Sequence, residues 1–207
     1  MIPRPTSTGH HQGDRSSPER IREAALKCFA GQGTASTSLR QIADEAGVSI
    51  GLVQHHYGTK THLIEVVDHH VLAVLGASLA TEPTPPPADS VDGFGNKVID
   101  LIQQQPDVID YVGRTLIDGN QIGAVIFDRL VAMGEARWKQ RAEQRLTRPD
   151  LDHTWAALNS LILVLGAITM RTHLDRHLPE PFTTASQLLR WQEAVNGLIR
   201  DGQMRHT

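Results

Sequence analysis

The chain has 207 residues, 40% hydrophobic and 21% charged, with a formal charge of −3 at neutral pH. That composition fits a soluble folded protein rather than a disordered one, and the total charge alone points to no polyanionic partner. Its single cysteine, Cys28, excludes a disulfide within the chain, and its longest apolar run, residues 161–170 with a few neighbours, is shorter than the ~20 residues of a membrane-spanning helix.

Residues 1–17 mix Pro, Ser, Thr, Gly and charge without periodicity, which predicts a flexible tail. No apolar segment follows that start, so a secretory signal is not expected and a cytoplasmic location is. At Ser17-Pro18-Glu19 a cap, a proline and an acid begin a helix. Its apolar stripe is Ile21, Ala25, Cys28 and Phe29, and Gly31 and Gly33 close it. Cys28 lies on that stripe with no neighbouring base to form a thiolate, so it reads as a small core side chain. A second helix begins after Thr37, where Ser38 and Gln41 stand at capping-box spacing. Ala46-Gly47-Val48-Ser49 interrupts it, and Ser49 caps a short third helix that reaches Tyr57. Gly58-Thr59-Lys60 is a further break and cap, followed by a long helix through Leu63, Val66, Val67, His70, Val71, Val74 and Leu75 to Ala80.

Residues 81–87, rich in proline, cannot continue that helix and predict an extended connector. Further helices are expected near 91–104, 106–118, 121–146, 151–177 and 184–201, punctuated by Pro106, Gly119, Pro149, Pro179 and Pro181. No stretch alternates with period two, so the fold class is all-α.

Two short helices that cross at a corner need a small residue at the contact and a glycine in the turn, with apolar side chains pinning the pair. Ala43 and Gly47 meet the first need, and Ile42, Ala46, Val48 and Val53 the second. The outer face of the third helix then carries Ser49, Ile50, Gly51, Leu52, Gln54 and His55, and the DNA major groove is wide enough to admit it. Charge is distributed to match. Residues 1–62 hold seven Lys/Arg against five acids, and the remainder 13 against 18. An ordinary helix corner shares these features.

The run from Thr37 to Gly51, continued by His56-Tyr57-Gly58-Thr59-Lys60-Thr61-His62-Leu63, resembles the signature of the TetR family of transcriptional regulators. The resemblance reaches back through Ala25, Phe29 and Gly33 and covers residues 18–65. It implies a DNA-binding domain over 18–62, with a three-helix module and its helix-turn-helix, and a larger helical effector-binding and dimerisation domain over 63–207. It also implies phosphate contacts from Thr37, Ser38, His56, Tyr57 and Lys60, with Arg40 and Ser49 in the same DNA-binding set, and base contacts from Ile50, Gly51, Gln54 and His55. The family often has tyrosine where this chain has Gln54. Glutamine can pair bidentately with adenine, so Gln54 is either a base reader or a phosphate contact.

The histidine pairs His55-His56 and His69-His70 are adjacent on helices, pointing about 100° apart, and suit no shared ion. His173 and His177 stand one turn apart with Asp175 between them, but no third ligand is evident. No metal and no cofactor are expected; protonation of these histidines is a means of tuning DNA affinity.

Residues 155–174 are apolar nearly all round, which demands burial on more than one side. The last helix carries Leu188, Trp191, Val195, Leu198 and Ile199 along one stripe. The resemblance implies a homodimer in which these two helices form an inter-subunit bundle, with Leu161, Leu188, Trp191, Val195 and Leu198 as interface candidates; the alternative is that both stripes complete the subunit's own core. It also implies an effector pocket, for which Tyr111, Phe127, Met133, Trp138 and Trp155 are the large side chains in reach and Asn159 the polar one. The expected function is a DNA-binding regulator, a repressor released from an inverted-repeat operator by a small molecule. The alternative is a helical small-molecule-binding protein or enzyme that has lost DNA binding. Because no nucleophile–base pair or phosphate-binding glycine loop is found, an enzyme is not expected.

Overall fold

The computed structural model describes residues 16–80 and 91–204. Most of the expected tail and the expected extended connector therefore lie outside the described residues. Helix follows helix: α1 (Ser17–Ser36), α2 (Leu39–Ala46), α3 (Ile50–Tyr57), α4 (Lys60–Leu79), α5 (Val91–Gln104), α6 (Pro106–Ile117), α7 (Gln121–Glu143), α8 (His153–Thr169), α9 (Arg171–Leu174) and α10 (Ala185–Gln203). Among the described residues the one extended pairing is an isolated bridge between Thr147 and Met204, so the all-α expectation holds.

Side-chain caps set most of the helix starts. Ser16, one residue earlier than expected, caps α1: its amide and its hydroxyl both donate to Glu19 Oε2 at 2.9 Å. At α2 the Ser38 amide donates to Gln41 Oε1 at 2.8 Å while the Gln41 amide donates to Ser38 Oγ at 3.2 Å. Thr59, Asn120 and Asp152 accept from His62, Gly123 and Trp155 in the same way.

The helix expected over 151–177 is broken. The α8 helix stops at Thr169, whose hydroxyl donates back to Leu165 O at 2.8 Å, and one further turn, α9, follows. The chain then turns back: the Phe182 amide donates to Asp175 Oδ1 at 2.7 Å, and the buried Phe182 ring meets Trp191 edge-on at 5.5 Å. The Phe182–Asp175 bond and the burial of Phe182 against α10 hold the chain in this turn. Similarly α7 ends at Glu143 rather than 146, with Arg145 at a φ of 59°.

Among the described residues the larger hydrophobic cluster runs from Ile21, Phe29 and Ile42 near the N-terminus to Tyr111, Ile126 and Leu188, and a smaller one holds Trp138, Ala156 and Ala157. Although α4 has the length and apolar content of a membrane span, its stripe Leu63, Val67, Val71, Leu75 and Leu79 is buried in this core. Two polar ties reinforce the junction. Arg114 of α6 donates to the Gly31 carbonyl of α1 at 2.7 Å, and the Tyr111 hydroxyl donates to Asp68 Oδ1 of α4 at 2.6 Å. Burial, then that bond, push the Tyr111 hydroxyl pKa far above its ordinary value, so it is a permanent donor.

The α6–α7 contact depends on a glycine. A Cβ on Gly123 would lie 2.4 Å from the Thr115 carbonyl oxygen, which is backbone and cannot swing aside. Gly123→Ala is expected to destabilise the fold by about 1–3 kcal/mol, as overpacking does. Gly76→Ala, a helical site where a Cβ meets nothing within 4 Å, is expected to stabilise by up to about 1 kcal/mol. Denaturant midpoints of the two variants would separate these outcomes.

Candidate nucleic-acid interface and internal cavity

The corner between α2 and α3 is built on Gly47, at φ 64° and ψ 41°. The Gly47 amide donates to Asp44 O at 3.2 Å and the Val48 amide to Ala43 O at 3.0 Å, the pair of reverse bonds that closes a helix in a Schellman motif. Arg20 of α1 donates to Ala46 O at 2.6 Å, placing a cation where carbonyls accumulate. Ile42, Ala43, Ala46 and Val53 are buried beneath the corner, and Val48 packs on the same core. Ser49 caps α3, its Oγ accepting from the Leu52 amide at 3.2 Å.

With Val53 facing inward, α3 turns Ile50, Gly51, Gln54, His55 and His56 to solvent, beside exposed Ser38, Arg40 and Ser49. Leu52 is half-buried rather than outward. A Cβ on Gly51 would meet only Ser49 Oγ, at 3.9 Å, so nothing inside the chain requires glycine there. Lys60, in the first turn of α4, lies half-buried with its Nζ 3.4 Å from the Ala35 carbonyl.

Two residues expected at phosphates are committed elsewhere. Thr37 is 2% exposed, and its hydroxyl donates to Gly33 O at 2.8 Å, where it fastens the end of α1. Tyr57 is half-buried and donates its hydroxyl proton to Pro18 O at 2.6 Å, tying the end of α3 to the start of α1. Aromatic and hydroxyl side chains near a turn are as useful for holding helices together as for reaching a ligand, and the sequence does not distinguish the two uses.

A cavity of about 420 Å³ is lined by residues of α4, α5, α6, α7, α8 and α10. Of the pocket candidates, Met133 and Trp138 line it. Tyr111, Phe127, Trp155 and Asn159 do not: Tyr111 is held in the core by Asp68, Phe127 is half-buried outside the cavity wall, Trp155 is 57% exposed, and Asn159 faces solvent. Conversely, Leu161, Trp191 and Val195, expected at a dimer interface, line the cavity, and Leu188 is fully buried in the subunit's own core. Of that set Leu198 alone is well exposed, at 64%. The outward apolar residues are instead Trp155, Ile162, Leu163 and Met170 on or just after α8 and Leu189 and Leu198 on α10. Arg137 and Arg141, on the cavity wall, were not among the expected pocket residues. They stand four apart on α7 beside Met133 and Trp138, a spacing that offered the signal.

No group of three or more His, Cys, Asp or Glu side chains suited to a metal ion occurs among the described residues. The helical spacing proposed for His173 and His177 lapses, because α9 ends at Leu174.

Residues 21–67 match the model of the bacterial regulatory proteins of the tetR family. The chain is 26% identical over 144 residues to the HTH-type transcriptional regulatory protein RaaS of Mycobacterium tuberculosis, an alignment that covers 67% of this chain and 63% of the relative. It is 34% identical over 103 residues to the HTH-type transcriptional repressor Rv3405c of the same organism, covering 50% of this chain and 48% of the relative. The chain thus spans about half to just under two thirds of these relatives' lengths. In fold it is similar to SmeT, the repressor of the Stenotrophomonas maltophilia multidrug efflux pump SmeDEF, with a TM-score of 0.67, 19% identity, and 93% of this chain and 92% of that one covered.

One histidine makes the fold sensitive to acid. His70 of α4 is half-buried, and burial, then the nearby Arg22, lower its pKa below 6.5. The unfolded chain therefore takes up the proton first as pH falls. Stability contributed through His70 is present above about pH 6.5 and is lost as pH falls from there through the folded-state value. His70→Gln is expected to flatten the acid limb of a plot of denaturation midpoint against pH between about 7 and 5; an unchanged slope would remove His70 as its cause.

Proposed function

From the premise of a TetR-family DNA-binding head at residues 21–67, we propose that this chain is a cytoplasmic, homodimeric transcriptional repressor that leaves an inverted-repeat operator when a small molecule enters its cavity. The observation that carries this reading is the corner at Gly47, which buries one face of α3 and leaves Ile50, Gly51, Gln54 and His55 outward. An outward glycine with free space around it lets a backbone approach a partner closely, which a helix lying in a major groove needs. Ser38, Arg40, His56 and Lys60 flank that face and suit phosphates, and the first turn of α4 adds backbone N–H groups beside Lys60.

The apolar residues left outside on α8 and α10 support the dimer. Exposed Trp155, Ile162, Met170 and Leu198 are poorly solvated, and a twofold partner offering the same residues would cover them. Coupling runs along α6. Ile109 and Val112 line the cavity, and Arg114 on the same helix holds the Gly31 carbonyl of α1. A guest that favours a shifted α6 thereby favours a shifted head, and DNA and guest oppose each other.

Selection from a random DNA library is expected to yield an inverted repeat whose affinity falls steeply with salt. Gln54→Ala should weaken binding about tenfold or more on operators carrying the cognate adenine and far less on variants without it; equal weakening on all would make Gln54 a phosphate contact. Ile162→Glu combined with Leu198→Glu is expected to give a helical monomer by ultracentrifugation and circular dichroism, with operator binding lost. Tight ligand binding with no DNA affinity at low salt would overturn the regulator reading.

A further inference from the structure

The cavity wall is mostly apolar. Aliphatic side chains such as Leu75, Val98, Leu130, Val164 and Ile168 make up the larger part, and the rings of Trp138 and Trp191 add flat surface. Among the described residues no Asp, Glu, Lys or His lines it, and its polar members are Arg137, Gln140, Arg141, Ser160, Gln192 and Asn196.

Most of those polar groups already serve the fold. Gln192 donates to Asn96 Oδ1 at 2.8 Å and Asn196 to Asp92 Oδ1 at 2.8 Å, which commits both amides to α5. The two helices meet closely there: a Cβ on Gly95 would lie 2.6 Å from Gln192 Nε2. The Ser160 hydroxyl donates to Ala156 O at 2.9 Å. Both guanidinium groups are engaged within the chain as well, that of Arg137 lying 3.9 Å from the centroid of the Phe94 ring and that of Arg141 4.9 Å from that of Trp138. Gln140 is a half-buried amide and carries no charge.

A charged guest is disfavoured in such a space. An ion loses far more solvation than a neutral molecule on leaving water, and only an opposite charge at hand offsets that loss. An anion would have to draw an arginine from the contacts it already makes, and a cation would meet two like charges. A hydrocarbon body gives up no comparable solvation and gains by covering aliphatic surface.

We infer that the cavity takes an uncharged, mainly hydrocarbon guest carrying at most a hydroxyl or carbonyl; this rests on the effector reading above. Its size follows from the volume. An apolar cavity of roughly 150 Å³ holds one benzene ring. At about 420 Å³ this one is nearly three times larger and suits two or three fused rings.

The test compares three tricyclic probes of one shape on the full chain: anthracenemethanol, anthracenecarboxylate and anthracenylmethylammonium. Binding is followed by calorimetry and by energy transfer from tryptophan to anthracene, since Trp138 and Trp191 line the cavity. The alcohol is expected to bind about tenfold or more tightly than either ion. Val164→Trp, which fills the cavity from α8, should weaken alcohol binding about tenfold or more while circular dichroism stays helical. Should that variant fail to fold, Val98→Phe fills the same space from α5 and carries the comparison. A smaller preference over either ion, binding of none of the three, or undiminished alcohol binding in a folded variant would each overturn the inference. Operator binding by the ligand-free protein is measured in parallel. Its absence would overturn the regulator reading, whereas operator binding without preference for the alcohol would overturn the ligand class alone.

Discussion

A residue with a side chain pays roughly 1–2 kcal/mol to sit in left-handed helical conformation, and Gly47 sits there at no such cost. Everything that α3 presents to solvent depends on that choice. The reverse hydrogen bonds from Gly47 and Val48 end α2 without orphaned carbonyls, Arg20 takes the last of them, and Ser49 starts a new helix two residues later. With so few residues between the two helices there is little freedom in the corner, and burial of Val53 fixes the rotation of α3 about its own axis. The outward set is thus a by-product of packing the inward one.

The same economy governs the body. Neither the head nor the body closes its core alone: the cluster that begins at Ile21 continues to Leu188, with α4 and α6 as the shared elements. The helices around the cavity are fixed by their own polar clamps, from Gln192 and Asn196 of α10 to Asn96 and Asp92 of α5 and from Arg171 of α9 to Asp110 of α6. Cavity and head are consequently joined through α4 and α6, which is the physical basis of the proposed coupling between them.

Local signals were readable from the residues. The Ser38–Gln41 box, the Ser49 and Thr59 caps, the Gly47 turn and the all-helical class required only neighbours a few positions apart. Facts that depend on distant partners were not. Nothing around Met170 breaks helical periodicity, yet α8 stops at Thr169 and the chain turns back so that Phe182 meets Trp191. Tyr111, Phe127 and Trp155 are large, and size marks burial or contact without saying which cavity, if any, a ring faces. Leu188 and Leu198 share one stripe of α10, yet one is fully buried and the other 64% exposed, since an apolar stripe wider than the core spills over its edge. Two arginines on a helix read as a solvated face until the helices opposite them are in place.

The first turn of α1 fastens both ends of the probe. Pro18 receives the Tyr57 hydroxyl from the end of α3, and Arg20, two residues on, holds the end of α2. The helix-turn-helix is thereby a closed ring, and α3 cannot tilt or slide within it without breaking one of those fastenings. A shift transmitted through α6 to α1 must then carry the whole reader as one piece. In the proposed dimer an effector would change where the two readers are delivered and leave untouched the letters each is able to read.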